Sequence, residues 1–204
     1  MPFERFLVGP RKLFEPLSTS EVFKAYAKER TVELLHGPML GAVTETSAQI
    51  WVRTRTETPV QIRLQSLDTG QPSITSPSVL TEAKRDYTAI ISVNNLKPNT
   101  RYRYEVLIGG DAVPIQPQPE FRTAMSSGTK TRFHVGFGGG ANYRPENERM
   151  WDTVLSRDPR AFLFMGDNTY FNIPDVPAHQ HYFFYRRHSR PEDRNSTRLT
   201  SSHT

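Results

Sequence analysis

Between Thr31 and Met125 the chain is written in short segments whose apolar residues recur at every second position. This period of two constrains the fold more than any other feature of the sequence. In SAQIWVRT (47–54), Ala48, Ile50 and Val52 fall on one side and Trp51 on the other. VQIRLQSL (60–67) and DYTAIISV (86–93) alternate in the same way. Successive side chains of an extended strand point to opposite faces, so such a segment buries one face and leaves the other to water. Gly70, Pro72, Pro77, Asn94, Asn95 and Pro98 stand between the segments and supply the turns. Several short strands at this spacing predict an antiparallel β-sandwich.

LKPNTRYRYEV (96–106) sharpens that expectation. A leucine, a proline and a threonine lead into a strand where Tyr102 and Tyr104 alternate with arginines. The run resembles the tyrosine-corner strand of fibronectin type III-like domains, in which a tyrosine hydroxyl closes a turn by bonding nearby backbone. That resemblance gives the tyrosines a structural role. Residues 1–30 read as a lead-in with one short helix. Ser18 and Glu21 have capping-box spacing, and Val22, Phe23 and Tyr26 share a helical face as far as about Lys28.

After Ser126-Ser127-Gly128, which reads as a flexible linker, the rhythm changes. TRFHVGF (131–137) predicts a short strand running into Gly138-Gly139-Gly140, with His134 as a hydrogen-bonded core residue of that strand. ENERMWDTVLSR (146–157) spaces Met150, Trp151, Val154 and Leu155 for one face of a helix. AFLFM (161–165) is apolar on both faces, as a central parallel strand should be. Strand, helix and strand make a βαβ unit, whose ligands sit beyond the carboxyl ends of the strands. GGGANY (138–143) and GDNTY (166–170) both fall there, so the two loops should be neighbours in space.

Taken alone, the glycine run says little. It lacks the Gly-Lys-Ser/Thr of a Walker loop and is not GxGxxG in register with the helix start. Three glycines can simply let the backbone turn. Asp167 has two readings. An aspartate just after a buried strand can bond local amides and shape the turn. With Tyr170 three positions on, it can instead offer the oxygen donors that hard cations take, and a carboxylate can bridge two ions. Gly166 would let such a loop approach a metal closely.

Composition works mainly by exclusion. There is no cysteine, which rules out disulfides, thiolate metal sites and a cysteine nucleophile. A formal charge of +5 is mild, and the densest basic group, Arg186, Arg187 and Arg190, is no nucleic-acid arm. No apolar run approaches the about 18 residues of a transmembrane helix. MPFERFLVGPRKLFEPLS, broken by Glu4, Arg5, Arg11 and Lys12, is not a secretory signal peptide as it stands. DRNSTRLTSSHT (193–204) has no apolar period and no caps, and its order looks like a translated sequencing adapter. It reads as a non-native tail.

In order, a sandwich with LKPNTRYRY, a strand into a short loop, and FLFMGDNTYF resemble the alkaline phosphatase D (PhoD-like) family of metallophosphoesterases, related to purple acid phosphatases. The resemblance covers about residues 31–192, and YFFYRRHSRPE (182–192) continues it. It implies an α+β chain. Residues 31–125 would be a fibronectin III-like antiparallel β-sandwich, and 126–192 the truncated start of an α/β metallophosphoesterase domain, its first βαβ unit. The activity implied is hydrolysis of phosphate esters by metal-activated hydroxide at a binuclear or multinuclear centre of iron and calcium. Asp167 would bridge metals and Tyr170 bind ferric iron, with Asn168 and Arg186 on the substrate side. A periplasmic or secreted location is implied as well.

The chain departs from the family at one place. Gly140 stands where many members carry a cysteine ligand, which puts iron in doubt, and Asn142 and Tyr143 are the nearest replacement donors. The family's later Asn, His and Asp ligands would fall beyond residue 204, so the chain by itself is expected to be inactive. Tyr185, Arg186 and Arg187 resemble a Tyr-Arg element that holds phosphate, or else solvate a helix face. His179 and His181 read as loop or substrate-side residues, and Asp175, between Pro174 and Pro177, as turn chemistry. Two rival readings are a catalytically dead member acting as a binding or adhesion module through its sandwich, and an unrelated Gly-rich nucleotide-binding domain.

Overall fold

In a computed structural model of the chain, the described residues are 19–140 and 149–166. A helix, α1 (Glu21–Glu29), precedes nine strands: β1 (Leu34–Gly41), β2 (Ala48–Thr54), β3 (Thr58–Ser66), β4 (Ile74–Thr75), β5 (Val79–Thr81), β6 (Thr88–Val93), β7 (Arg101–Ile108), β8 (Asp111–Ala112) and β9 (Glu120–Arg122). Then come β10 (Val135–Gly138), α2 (Arg149–Ser156) and β11 (Ala161–Phe164).

The alternating segments make the expected antiparallel β-sandwich. One sheet runs β1-β2-β6; the other runs β4-β3-β7-β8, with β5 also on β3 and β9 on β7. The inward positions are those the period of two selects. Ala48, Ile50 and Val52 from β2 and Ala89, Ile91 and Val93 from β6 meet Val60, Ile62 and Leu64 from β3 and Tyr102, Tyr104, Val106 and Ile108 from β7. Each large apolar side chain buried there contributes about 1.5–3 kcal/mol relative to exposure, before the entropy of ordering it is counted.

The corner before β7 is closed as the sequence led us to expect. Tyr102 is buried and stacks on Phe121, and its hydroxyl accepts the backbone N–H of Lys97 at 2.9 Å. Thr123 completes the corner from the other side. Its hydroxyl donates to Lys97 O at 2.6 Å and accepts the Thr100 N–H at 2.9 Å.

The opposite face of β2 carries a feature that alternation does not reveal. Arg53 is only 2% exposed. Its Nη2 donates to Asp86 Oδ2 at 2.6 Å, and its Nε to Asp86 O at 3.2 Å. His36 Nδ1 lies 3.3 Å from Nη1 and must accept there, because a guanidinium has donors alone. Burial pulls the Arg53 pKa down and the Asp86 carboxylate opposes it.

Helix α1 differs from expectation at its cap and on its buried face. The N-cap is Ser20, with no side-chain cap bond, and Ser18 lies outside the described residues. Phe23 and Ala27 pack inward against Tyr87, Val32, Leu35 and Ala83. Val22 and Tyr26 are exposed. The i, i+4 pair wins because it meets Tyr87, a partner far away in sequence.

β10 and β11 pair in parallel, and α2 lies over one face of the pair through Trp151, Phe162 and Phe164. Val154 and Leu155 join this cluster as the helical spacing predicts, while Met150 is exposed. Two expectations are corrected. The strand begins at Val135 rather than at 131, so His134 is an exposed residue at its threshold, with Nδ1 donating to Arg157 O at 3.0 Å. Among the described residues AFLFM and its partner β10 are covered on one face: Val135 and Phe137 of β10 and Leu163 and Met165 of AFLFM are exposed, Phe137 and Met165 each to 70%.

Tyr102→Phe keeps the ring stack and leaves the Lys97 amide without its acceptor. We expect a loss of about 1–2 kcal/mol in the sandwich's unfolding free energy, measured by urea denaturation. A change near zero would show that water replaces the hydroxyl at no cost.

Candidate functional site

The carboxyl ends of β10 and β11 lie side by side because their register, Val135 opposite Ala161 through Gly138 opposite Phe164, is continuous. Beyond the strands the two loops remain joined. Met165 N–H donates to Gly138 O at 2.8 Å, and Gly140 N–H to Gly166 O at 3.3 Å. The glycine loop and the Gly166 loop are thus neighbours, as their places in the βαβ pattern predict.

The glycines of this stretch meet different demands, and turning is the lesser of them. A Cβ on Gly136 would lie 2.6 Å from Phe162 Cδ2, and one on Gly138 3.3 Å from Phe162 Cζ. The Phe162 ring therefore occupies the space of two missing side chains, and it meets Trp151 edge-on at 5.4 Å. Gly139 serves close backbone approach, since a Cβ there would sit 3.1 Å from Gly166 O. Gly140 and Gly166 have φ of 69° and 111°, which L-residues rarely adopt. Alternation and helical spacing do not reveal this role of Phe162. Its signal was present as glycines at 136 and 138, two apart in a strand and facing an aromatic one.

Asp167, Asn168, Tyr170 and Arg186 lie outside the described residues, as do Asn142, Tyr143, Asp175, His179, His181, Tyr185 and Arg187. Of the two predicted loops, Gly138, Gly139, Gly140 and Gly166 are placed. Among the described residues, no three His, Asp or Glu side chains lie together as a metal site requires. At the loop pair these residues offer glycine backbone and Met165, which do not by themselves fit a metal centre. In the sequence the candidate donors Asn142 and Tyr143 follow Gly140, and Asp167 and Tyr170 follow Gly166.

The amino end of β11 has a different character. Arg160, the residue before the strand, donates from Nη2 to Asn99 Oδ1 of the sandwich corner. Arg122 Nη1 donates to Asn99 O at 2.8 Å and to Asp68 Oδ2 at 3.1 Å. Asp68 also accepts the Arg101 N–H at 2.9 Å. That amide bond is the main reason the Asp68 carboxyl titrates below its usual range; partial desolvation opposes it, and the Arg101 and Arg122 guanidiniums reinforce it.

Comparison with known proteins places this architecture. A structure of PhoD matches with a TM-score of 0.65 at 11% identity, covering 80% of this chain and 37% of that one. The chain has a PhoD-like fold. The purple acid phosphatase PPD1 from yellow lupin (Lupinus luteus) seeds matches with a TM-score of 0.57 at 13% identity, covering 81% and 34%. The chain therefore spans about a third of the length of these two proteins. Residues 31–127 match a family model described as Domain of unknown function (DUF7800). No curated protein matches the chain. The architecture is a β-sandwich followed by the start of an α/β unit, a phosphoesterase-like fold.

Two measurements test these packing and charge arguments. Gly136→Ala forces a methyl group into the Phe162 ring, an overpacking worth about 1–3 kcal/mol, so amide exchange at 161–165 should quicken by about five- to a hundredfold. Gly41→Ala, where a Cβ would meet nothing within 4 Å, is the neutral control.

The second concerns acid. A carboxyl whose folded pKa is depressed contributes stability that is complete above its unfolded pKa of about 3.9 and lost as pH falls through the lower folded value. Asp68→Asn should therefore flatten the acid limb of the stability–pH curve and leave its shape above about pH 5 unaltered. An unchanged acid limb would remove Asp68 from the account.

Proposed function

We propose that the chain carries the sandwich and the opening βαβ unit of a metal-dependent phosphoesterase that hydrolyses phosphate esters. The observation that supports this reading best is the pair of backbone bonds, Met165 to Gly138 and Gly140 to Gly166, that draws both loops together. They meet at the carboxyl ends of parallel strands, where α/β sheets bind ligands, within a fold like those of PhoD and a purple acid phosphatase.

In this reading Asp167 and Tyr170, which follow Gly166 directly in the sequence, are the metal-binding residues of a binuclear or multinuclear centre. Asn168 and Arg186 contact the phosphate ester. When bound, the metals would polarise the phosphoryl group and supply hydroxide near neutral pH. Iron and calcium are the metals the family resemblance implies. An iron site here must find a donor other than a thiolate, because Gly140 has no side chain. Its φ of 69° is also a backbone that a cysteine would adopt at a cost of about 1–2 kcal/mol. The loop is built for glycine. A periplasmic or secreted location belongs to the same proposal, as does the assignment of the complete activity to a longer polypeptide than residues 31–192.

The Gly140 backbone also favours one second reading, a catalytically silent relative kept for binding or adhesion through its sandwich.

The test is hydrolysis of a chromogenic phosphate diester by the full polypeptide containing residues 31–192, with and without Asp167→Asn. Activity that needs added metal should fall by at least about a hundredfold in the variant, because even outer-sphere partners of metal ligands cost about 10–100-fold. A folded polypeptide that binds neither metal nor ester would favour the silent relative.

A further inference from the structure

The described residues contain separate apolar cores. The sandwich interior, the α1 cluster and the Trp151–Phe162 cluster share no member, and none of them joins the sandwich to the β10–α2–β11 unit. Units that lack a large apolar interface move relative to each other unless something else fixes them. A polar link is present instead, and the backbone at both of its ends is hydrogen-bonded.

On the sandwich side the mount is Asn99. Its φ of 50° lies in the left-handed region, which asparagine tolerates better than most residues. Its N–H donates to Ala124 O at 2.8 Å and its carbonyl accepts Arg122 Nη1 at 2.8 Å. With its backbone held at both polar groups, the side-chain amide is aimed by the turn. On the other side is Arg160. Its N–H donates to His134 O at 2.8 Å, which ties it to the start of β10, and its guanidinium reaches Asn99 Oδ1. Arg160 is the residue immediately before β11, whose far end carries the loop pair.

We propose that Asn99 is a positioning residue: the corner turn of the sandwich is the docking surface for the β10–α2–β11 unit, and the Asn99–Arg160 hydrogen bond is the clasp that orients it. The clasp acts about 15–20 Å from the loops, along β11, at the strand spacing of about 3.3 Å per residue. Its chemistry is specific. Arg122 and Arg160 converge on one residue, and Arg122 adds to the burial that lowers the Arg160 pKa. The side-chain amide oxygen of Asn99 holds the Arg160 guanidinium while its backbone carbonyl holds Arg122, and a carboxylate at that position should hold Arg160 more tightly. This inference is independent of any phosphoesterase activity, since it concerns the orientation of two units.

The absence of cysteine makes a clean test possible, because two introduced thiols will be the sole labelling sites. Gln65→Cys on exposed β3 and Thr153→Cys on exposed α2 carry spin labels in the full chain, and pulsed dipolar spectroscopy reads the distance between them. The parent should give one narrow distribution. Asn99→Gly keeps the left-handed backbone and its two bonds while deleting the amide oxygen. Arg160→Ala leaves the sandwich sequence untouched, so it cannot act by unfolding the sandwich. Each should widen the distribution at least about twofold, as free relative motion of two units predicts. Asn99→Asp should keep it narrow. A parent distribution that is already broad, or a width unchanged in either Asn99→Gly or Arg160→Ala, overturns the proposal.

Discussion

The turn between β6 and β7 is the point on which the rest of the described structure depends. Five residues, 96–100, are bonded from several directions at once. The Tyr102 hydroxyl takes the Lys97 amide, Thr123 takes the Lys97 carbonyl and the Thr100 amide, and Ala124 takes the Asn99 amide. Arg122 then closes on the Asn99 carbonyl. Backbone groups that leave a sheet ladder must find partners elsewhere, and the partners just named belong to β7, to β9 or to the residues just after β9, while the Leu96 amide reaches Thr46 O between β1 and β2. The corner thus fixes where the chain leaves the sandwich, and the Arg160 side chain returns to the same five residues from the next unit.

Most of the sandwich could be read from the sequence because its information is local. A strand with one buried face states which residues are inside, so Ile50, Ile62, Leu64 and Ile91 are placed by alternation alone. Helix α2 is placed by its period for the same reason. What escaped depends on partners distant in sequence. Nothing near Arg53 signals that it will be buried, since its carboxylate is Asp86, on the turn before β6. The buried face of α1 was misjudged because Tyr87 selects Phe23 and Ala27. His134 falls just outside β10, because a pattern of four or five positions does not locate a strand end.

The site divides along the same line. That the two loops would adjoin was legible, since parallel strands joined by a helix end on the same side. That glycines at 136 and 138 leave room on one face of β10 was legible, but that the Phe162 ring fills it was not, because the partner is set by the register with β11. Asp167 and Tyr170 stand out by type and spacing, yet the described residues end at Gly166. The parallel pair itself carries a requirement: such sheets are stable when both faces are covered. α2 covers one, and the face with Val135, Phe137, Leu163 and Met165 is open among the described residues. A face of this composition is an aggregation liability until something packs on it.

The closing of the corner by Thr123 and Ala124 also bears on the order in which the protein is made. Every strand of the sandwich, and every bond that shapes its docking turn apart from the one to Arg160, lies before residue 125. During synthesis, units fold in the order in which they emerge from the ribosome. The sandwich is complete as a set of partners while β10 and β11 are still being translated. The second unit, whose parallel strands must wait for the whole crossover between them, is then assembled against a surface that already has its final shape.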